Sequence, residues 1–259
     1  MHHPHLVLLL GACPEKGCLV YEYLANGSLE DRLFLKGGTP PLAWHTRFRI
    51  AAEVATALLF LHSAKPNPYV HRDLKPANIL LDRNMISKLG DVGLARLAPG
   101  NISDSITEYR DTTPVGTYAY IDPEYQRTGV FTPKSDVYAF GLVILQLLTG
   151  KSPTGLIKSI ENAVEQNKLS EVLDPTAGNW PIHEATEMAL LAMECSELKR
   201  KSRPELNTVL PKLDKLRTFA DDYLVQVAWN KESVSDGQRG VIPSFFQCPI
   251  SKVCRNQHL

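Results

Sequence analysis

Hydrophobic and polar positions follow two different periods along the chain, and together they predict a short β-rich start followed by a mainly helical body. Residues 6–10 and 18–21 are apolar runs separated by the glycine-flanked segment 11–17, which predicts a β-hairpin. From residue 48 to residue 62, apolar side chains recur at helical spacing. This pattern predicts a long amphipathic helix that ends near Ser63.

Further helices are predicted on both sides of that helix. Ser28 can cap a short helix over residues 29–35, and Ser135 can cap a helix that runs to Leu148, with Gly150 as its stop. The helix from Ser135 is apolar nearly all round, so we expect it to be buried on every side. Other helical patterns cover residues 156–166, 183–195 and 205–216.

A dense group of polar residues follows the long helix. The run H-R-D-L-K-P-A-N occupies residues 71–78, and two short predicted strands, 79–81 and 87–89, separate it from Asp91 in the run D-V-G. The strands would return Asp91 to the side of the first run, so that carboxylates, an amide and an ammonium group converge. Because Mg²⁺ takes oxygen ligands and an ammonium group suits phosphate, the sequence predicts a magnesium and phosphate site.

This spacing resembles the catalytic and metal-binding loops of eukaryotic protein kinases, together with a P-E pair at residues 123–124. The resemblance implies that Asp73 accepts the proton of a substrate hydroxyl and that Lys75 neutralises charge on the phosphoryl group transferred from ATP. It implies that Asn78 and Asp91 hold Mg²⁺. Each residue taken alone is more often part of an ordinary turn or surface loop; the combination is specific.

The resemblance also implies control by phosphorylation. Arg72 stands beside the catalytic Asp, where a guanidinium can pair with a phosphate on the activation loop. The polar stretch 98–113 has the composition of a mobile functional loop, or simply of a hydrophilic one. Its candidate phosphate acceptors are Thr112 and Thr113, followed by Ser103, Ser105 and Thr107.

Four more residues receive structural roles from the resemblance. Thr117 would face the catalytic loop, as in serine/threonine kinases, and Lys75 is also typical of that class. Asp136 would hold the backbone of the turn before Asp73. Glu124 would form a buried ion pair with Arg203, although an arginine before a proline could equally cap a helix or reach towards solvent.

The adenine of ATP would lie near the second strand of the hairpin. Glu22 and Leu24 would offer backbone groups to it, with Tyr21 at the back of the pocket and Leu80 as its floor; these apolar residues could equally be plain core. Val92 replaces the phenylalanine that most kinases carry there, which alters packing next to Asp91 without removing the metal ligand.

Part of the ATP site is not present in this sequence. No G-x-G-x-x-G occurs, and none of Lys16, Lys36 and Lys65 stands where a strand lysine could grip the phosphates. We therefore expect a chain that is truncated at both ends and impaired or inactive alone.

The C-terminal third resembles plant receptor-like cytoplasmic kinases, in one branch of which a U-box follows the kinase domain. The run P-S-F-F-Q-C-P-I at residues 243–250 resembles the opening of a U-box, the ubiquitin-ligase module that recruits a ubiquitin-conjugating enzyme. The apolar residues of this run could otherwise be an ordinary tail.

Composition excludes some classes of protein and indicates a cellular compartment. Equal counts of 28 basic and 28 acidic residues argue against a nucleic-acid or membrane-surface protein held by bulk charge. The uncharged run 137–148 is shorter than the about 20 residues of a membrane span, and residues 1–4 do not open a signal peptide. Five scattered cysteines without C-x-x-C spacing indicate reduced thiols, so we expect a cytoplasmic protein.

The sequence therefore predicts an α+β, protein-kinase-like fold: a mainly helical C-lobe with only the last two strands of the N-lobe. We expect the hairpin and hinge at residues 1–24, the C-lobe at 25–217, a linker at 218–242 and the start of a U-box at 243–259. The expected activity is transfer of phosphate from ATP-Mg²⁺ to serine or threonine of a protein substrate. The alternatives are a U-box ubiquitin ligase linked to a kinase domain and a catalytically inactive scaffold.

Overall fold

A computed structural model describes residues 2–92, 95–97 and 114–235. Its secondary structure is mostly helical, with short antiparallel strand pairs near the start of the chain. The strands are β1 (Leu9–Cys13), β2 (Cys18–Tyr21), β3 (Tyr69–Val70), β4 (Ile79–Leu81), β5 (Ser87–Leu89) and β6 (Arg96–Leu97). The helices are α1 (Leu29–Leu33), α2 (Trp44–His62), α3 (Pro123–Thr128), α4 (Pro133–Thr149), α5 (Leu156–Glu165), α6 (Ile182–Cys195) and α7 (Leu206–Ser235).

The predicted hairpin and the two predicted strands after the polar loop are both present. Strands β1 and β2 pair antiparallel, as do β4 and β5 and the short pair β3 and β6. Leu6 lies before β1 and forms a bridge with Leu89 of β5, which ties the start of the chain to the loop region. Strand β1 begins at Leu9 rather than at residue 6. Before it, the Val7 N–H donates to the carbonyl of Leu89 in β5, and the Leu8 carbonyl accepts from the Glu22 N–H.

Helix α4 is the centre of the core. Every residue from Ser135 to Thr149 is buried, as its apolar sequence predicted, and the helix packs against α2 and α6. Helix α2 adds a nearly continuous buried stripe that includes Phe48 and Leu58. Burial of apolar surface stabilises a fold by about 25 cal/mol per Å², so the contacts of α4 with α2 and α6 stabilise the helical body.

Three predicted helix ends are wrong, and a local cause explains those of α4 and α7. Helix α4 begins at Pro133, with Thr132 as its N-cap, because proline suits the first helical turn; Ser135 instead completes the capping box by accepting the Thr132 N–H. Helix α1 stops at Leu33 rather than residue 35. Helix α7 continues past residue 216 to Ser235, since the sequence has no glycine or proline between residue 216 and Gly237.

Gly150 ends α4 as predicted, in the left-handed conformation with φ 63°. A Cβ at this position would lie 2.7 Å from Oδ2 of Asp174, which accepts a 2.6 Å hydrogen bond from Nη2 of the fully buried Arg47. Replacing Gly150 with alanine should therefore lower the free energy of unfolding by about 2–4 kcal/mol, as backbone strain and displacement of the buried ion pair add. Urea unfolding measures this loss.

Gly155 is the matched control for that substitution. It also has a left-handed backbone, with φ 70°, but a Cβ there would meet nothing within 4 Å. Gly155→Ala should cost only the strain of about 1–2 kcal/mol. Equal losses in the two variants would show that the contact with Asp174 contributes nothing.

Residues 1–220 form one compact unit, and residues 221–259 form a second. Of the second unit the structure describes only the end of α7. Within the described parts of the chain, no helix combines the length and apolarity needed to cross a membrane.

Candidate functional site

Asp136, in the first turn of α4, binds the backbone of the polar loop at residues 71–78. Its carboxylate accepts the backbone N–H of His71 at 2.8 Å and that of Arg72 at 2.9 Å, and it lies 2.8 Å from Nε2 of His62. Burial alone would raise the pKa of Asp136, but the hydrogen bond and charge of His62 outweigh it, so the pKa lies below its usual value. The contact expected from the sequence is present, and His62 is a partner that the sequence did not indicate.

Gly90 brings Asp91 to the side of the same loop. The Gly90 N–H donates to the carbonyl of Asn78 at 2.8 Å, and the Gly90 carbonyl lies 2.9 Å from Nε2 of His71. Antiparallel pairing of β4 with β5 sets this return, as the two short predicted strands implied. Asp91 itself is exposed and has a left-handed backbone with φ 52°.

The carboxylate of Asp73 is the centre of a hydrogen-bonded cluster. Its Oδ1 accepts from the backbone N–H and the hydroxyl of Thr117 at 2.8 and 2.7 Å. Its Oδ2 accepts from Nζ of Lys75 at 2.8 Å and from Nδ2 of Asn78 at 3.0 Å. Burial would raise the pKa of Asp73, but the bonds from Lys75 and Thr117 prevail and lower it, so this buried carboxylate is ionised at neutral pH.

Asn78 and Asp91 provide a donor set that suits Mg²⁺. The amide nitrogen of Asn78 is committed to the Asp73 carbonyl and carboxylate, which leaves its oxygen as the group available to a cation. Mg²⁺ is commonly bound by one or two protein oxygens together with substrate phosphates and water. In the part of the chain that the structure describes, no group of three or more His, Cys, Asp or Glu side chains could hold a metal ion.

Gly116 explains how Thr117 reaches Asp73. Its φ of 129° and the 2.5 Å that would separate a Cβ from the carbonyl oxygen of Arg72 leave room only for glycine. Thr117 therefore lies against the loop, where its hydroxyl also accepts from Nζ of Lys75 at 2.6 Å. The sequence indicated Thr117 but not the need for Gly116.

Arg72 has a left-handed backbone, with φ 72°, and its guanidinium is held by two aromatic residues. Its Nη2 donates to the hydroxyl of Tyr125 at 2.9 Å, and its guanidinium carbon lies 4.5 Å from the centre of the Phe131 ring. This arrangement fixes a cation at the edge of the loop. The candidate phosphate acceptors lie outside the described residues: Ser103, Ser105, Thr107, Thr112 and Thr113.

The predicted ion pair between Glu124 and Arg203 is wrong. Arg203 is fully buried and donates from Nη2 to Oδ1 of Asp122 at 2.6 Å. Asp122 is the N-cap of α3 and points inward, whereas Glu124, two residues into that helix, accepts the backbone N–H of Arg200 at 2.7 Å. Asp122 is thus a structural residue that the sequence reasoning missed, although its place as an N-cap before proline was a usable signal.

Of the expected adenine-contacting residues, Tyr21 ends β2, Glu22 and Leu24 follow it, and Leu80 lies on β4. Tyr21, which the resemblance places at the back of the pocket, is 39% exposed. Glu22 directs its side chain to Nζ of Lys88 and to the backbone N–H of Leu8. Leu24 is buried, and Leu80 on β4 approaches Gly90.

Comparison with known proteins agrees with this geometry. A sequence model described as protein tyrosine and serine/threonine kinase matches residues 1–213. The putative U-box domain-containing protein 53 of Arabidopsis thaliana is 54% identical over 258 residues, which are 97% of this chain and 30% of that protein. U-box domain-containing protein 35 of the same plant is 52% identical over 260 residues, covering 99% of this chain and 30% of the relative.

A rice relative extends the set beyond Arabidopsis. U-box domain-containing protein 70 of Oryza sativa subsp. japonica is 47% identical over 253 residues, covering 97% of this chain and 31% of that protein. The chain thus spans about 30% of the length of these curated relatives. The match to the family model confirms the predicted fold class, and the chain belongs to the protein tyrosine and serine/threonine kinase family.

Proposed function

We propose that the chain carries the phosphate- and metal-binding half of a serine/threonine kinase site, which transfers phosphate from ATP-Mg²⁺ to a protein hydroxyl. The cluster in which Lys75, Asn78 and Thr117 all bond the Asp73 carboxylate is the observation that carries this proposal. Phosphoryl transfer needs positioning and electrostatic stabilisation more than covalent chemistry, and this cluster supplies both.

Asp73 would accept the proton of the substrate hydroxyl. Its lowered pKa keeps it ionised at neutral pH, which is the form that can accept. Each of its oxygens already has two donors, so the incoming hydroxyl would replace one of them. Lys75 is the partner best placed to move, because its side chain is 22% exposed, and its ammonium group would then face the transferred phosphate.

Asn78 and Asp91 would hold the metal ion beside that position. Mg²⁺, when bound, neutralises charge on the phosphates of ATP. The backbone bond from Gly90 to Asn78 sets the separation of these two residues, while the exposed side chain of Asp91 is open to a ligand. The exposed Val92 would leave Asp91 with less apolar support than the phenylalanine of most kinases provides.

We propose that this 259-residue chain is slow when it acts alone. Its sequence contains no G-x-G-x-x-G, and its hairpin leaves Leu19 and Tyr21 more than one third exposed. Removal of a single preorganised electrostatic group costs about 10²–10³ in rate, and a phosphate-covering loop supplies several such groups. Without a phosphate-covering loop, the rate of phosphate transfer should therefore be much lower even though Asp73 is intact.

Labelling with γ-phosphate-labelled ATP tests both the residue specificity and the slow rate. The purified chain, with Mg²⁺, should transfer label slowly to a peptide pool that contains serine and threonine, and not to a pool with tyrosine as its only hydroxyl. A metal chelator should abolish the transfer. Label in the tyrosine pool would contradict the specificity, and turnover at the about 1–100 s⁻¹ of ordinary kinases would contradict the impairment.

An inactive scaffold is the alternative within the same fold. A thermal-shift titration separates it from a slow enzyme, because a kinase site gains stability from a bound nucleotide and metal ion. If ATP with Mg²⁺ leaves the melting temperature unchanged and no label is transferred, the scaffold replaces the kinase proposal.

The names of the relatives favour a ubiquitin-ligase function, beside the kinase, in those longer proteins. Because they are U-box domain-containing proteins, we propose that this chain derives from the plant kinase branch in which a U-box accompanies the kinase domain. Residues 243–250, which resemble the start of that module, lie outside the described residues. A discharge assay with a ubiquitin-loaded conjugating enzyme tests the ligase, and an eight-residue resemblance leads us to expect no discharge by this chain.

A further inference from the structure

Two cysteines face each other at the tip of the first hairpin. Cys13 is the last residue of β1, Cys18 is the first residue of β2, and the register of the sheet makes them direct cross-strand partners. The single irregularity in this pairing lies between Leu9 and Gly11, at the other end of the hairpin. The sequence reasoning treated these thiols as scattered because it could not supply the register.

Direct partners in an antiparallel pair project from the same face of the sheet, with Cα atoms about 4.5–5.5 Å apart. A disulfide needs Cα atoms about 4.4–6.8 Å apart, so the backbone already satisfies its main requirement. A turn over Pro14–Lys16, closed by the Gly17 N–H on the carbonyl of Pro14, holds the two strand ends together.

Both thiols are accessible and directed towards that turn. Sγ of Cys13 donates to the carboxylate of Glu15, and Sγ of Cys18 donates to the carbonyl of Lys16. Cys18 is exposed and Cys13 partly exposed, whereas Cys195 is fully buried in the core, where burial raises the pKa of its thiol to about 12. A rotation about each Cα–Cβ bond would exchange these weak hydrogen bonds for contact between the two sulfur atoms.

We propose that Cys13 and Cys18 form a dithiol site that exchanges with small disulfides, such as oxidised glutathione, to give a reversible intrachain disulfide. One thiolate attacks a sulfur of the glutathione disulfide, which forms a mixed disulfide and releases one glutathione thiol. The second cysteine, as its thiolate, attacks the protein sulfur of that mixed disulfide and releases the second glutathione. The two protein thiols lose two electrons and two protons, and one glutathione disulfide becomes two thiols.

Trypsin provides a direct readout, because Lys16 lies between the two cysteines. The folded chain is incubated with oxidised glutathione in excess over reduced glutathione, quenched in acid, alkylated and digested. The disulfide joins peptides 1–16 and 17–32 into one species that is two hydrogens lighter than their sum, and reduction separates them. More than half of the chain should carry this link, and reduced glutathione should reverse it.

The register supplies a matched control. In the double variant C18S/L19C the second thiol moves by one residue and therefore to the opposite face of the strand, so the link to Cys13 should fall at least tenfold. The variant C248S/C254S should keep the link at the wild-type level, since neither residue takes part. Mixed disulfides on separate peptides, covalent dimers on a non-reducing gel, or equal linkage in C18S/L19C would each overturn the proposal.

Discussion

Replacing Asp73 with asparagine should reduce phosphoryl transfer by about 10²–10⁴-fold, which is the usual contribution of a positioned acid or base. Asparagine has the same shape, and its oxygen can still accept the N–H and hydroxyl of Thr117, as Oδ1 of Asp73 does. Its amide nitrogen cannot accept a proton from a substrate or a hydrogen bond from Lys75. The substitution therefore removes the base while it keeps half of the local hydrogen bonds.

Because the chain is expected to be slow, the comparison needs single-turnover conditions with enzyme in excess over labelled ATP. Asp214→Asn is the matched control, since Asp214 is 40% exposed and forms an ion pair with Arg217 at the surface. We expect this control to transfer phosphate at the wild-type rate and both variants to bind ATP-Mg²⁺. Equal rates for Asp73→Asn and the wild type would remove Asp73 from the reaction.

The sequence predicted those parts of the site that depend on spacing along the chain. The loop at residues 71–78, the two strands after it and the stop of α4 at Gly150 all follow from local patterns, and the structure contains them. Local patterns fix backbone conformation over a few residues, which explains why strands only three residues long were located correctly.

Partners distant in sequence were not predicted in the same way. Arg203 has two acidic candidates at the start of α3, Asp122 and Glu124, and only the N-cap position of Asp122 before proline separates them in the sequence. The pairing of His62 with Asp136, and that of Cys13 with Cys18, likewise depend on packing and strand register. These are properties of the folded chain, because a change of one residue in register or helix phase would select a different partner.

Asp136 should have the largest effect on stability of the residues around the site. Asp136→Ala removes the carboxylate that accepts from the His71 and Arg72 N–H groups and contacts the His62 ring. These buried donors are then left without an acceptor. We expect the free energy of unfolding to fall by about 3–5 kcal/mol, since each unsatisfied buried donor costs about 1–3 kcal/mol. Asp214→Ala, measured by the same urea unfolding, should change it by less than about 0.5 kcal/mol.

The contribution of Asp136 should also depend on pH in a defined direction. Although burial opposes ionisation, His62 and the backbone donors lower the pKa of Asp136 in the folded state below the about 3.9 of an unfolded chain. Stability from a lowered carboxyl pKa is fully present above the unfolded value and is lost as the pH falls through the folded value. Asp136→Asn cannot titrate, so the gap in unfolding free energy between it and the wild type should shrink as the pH falls from about 5 towards 3. A gap that stays constant or widens over that range would mean that Asp136 is not held as a buried carboxylate, and the anchoring of the catalytic loop would need another source.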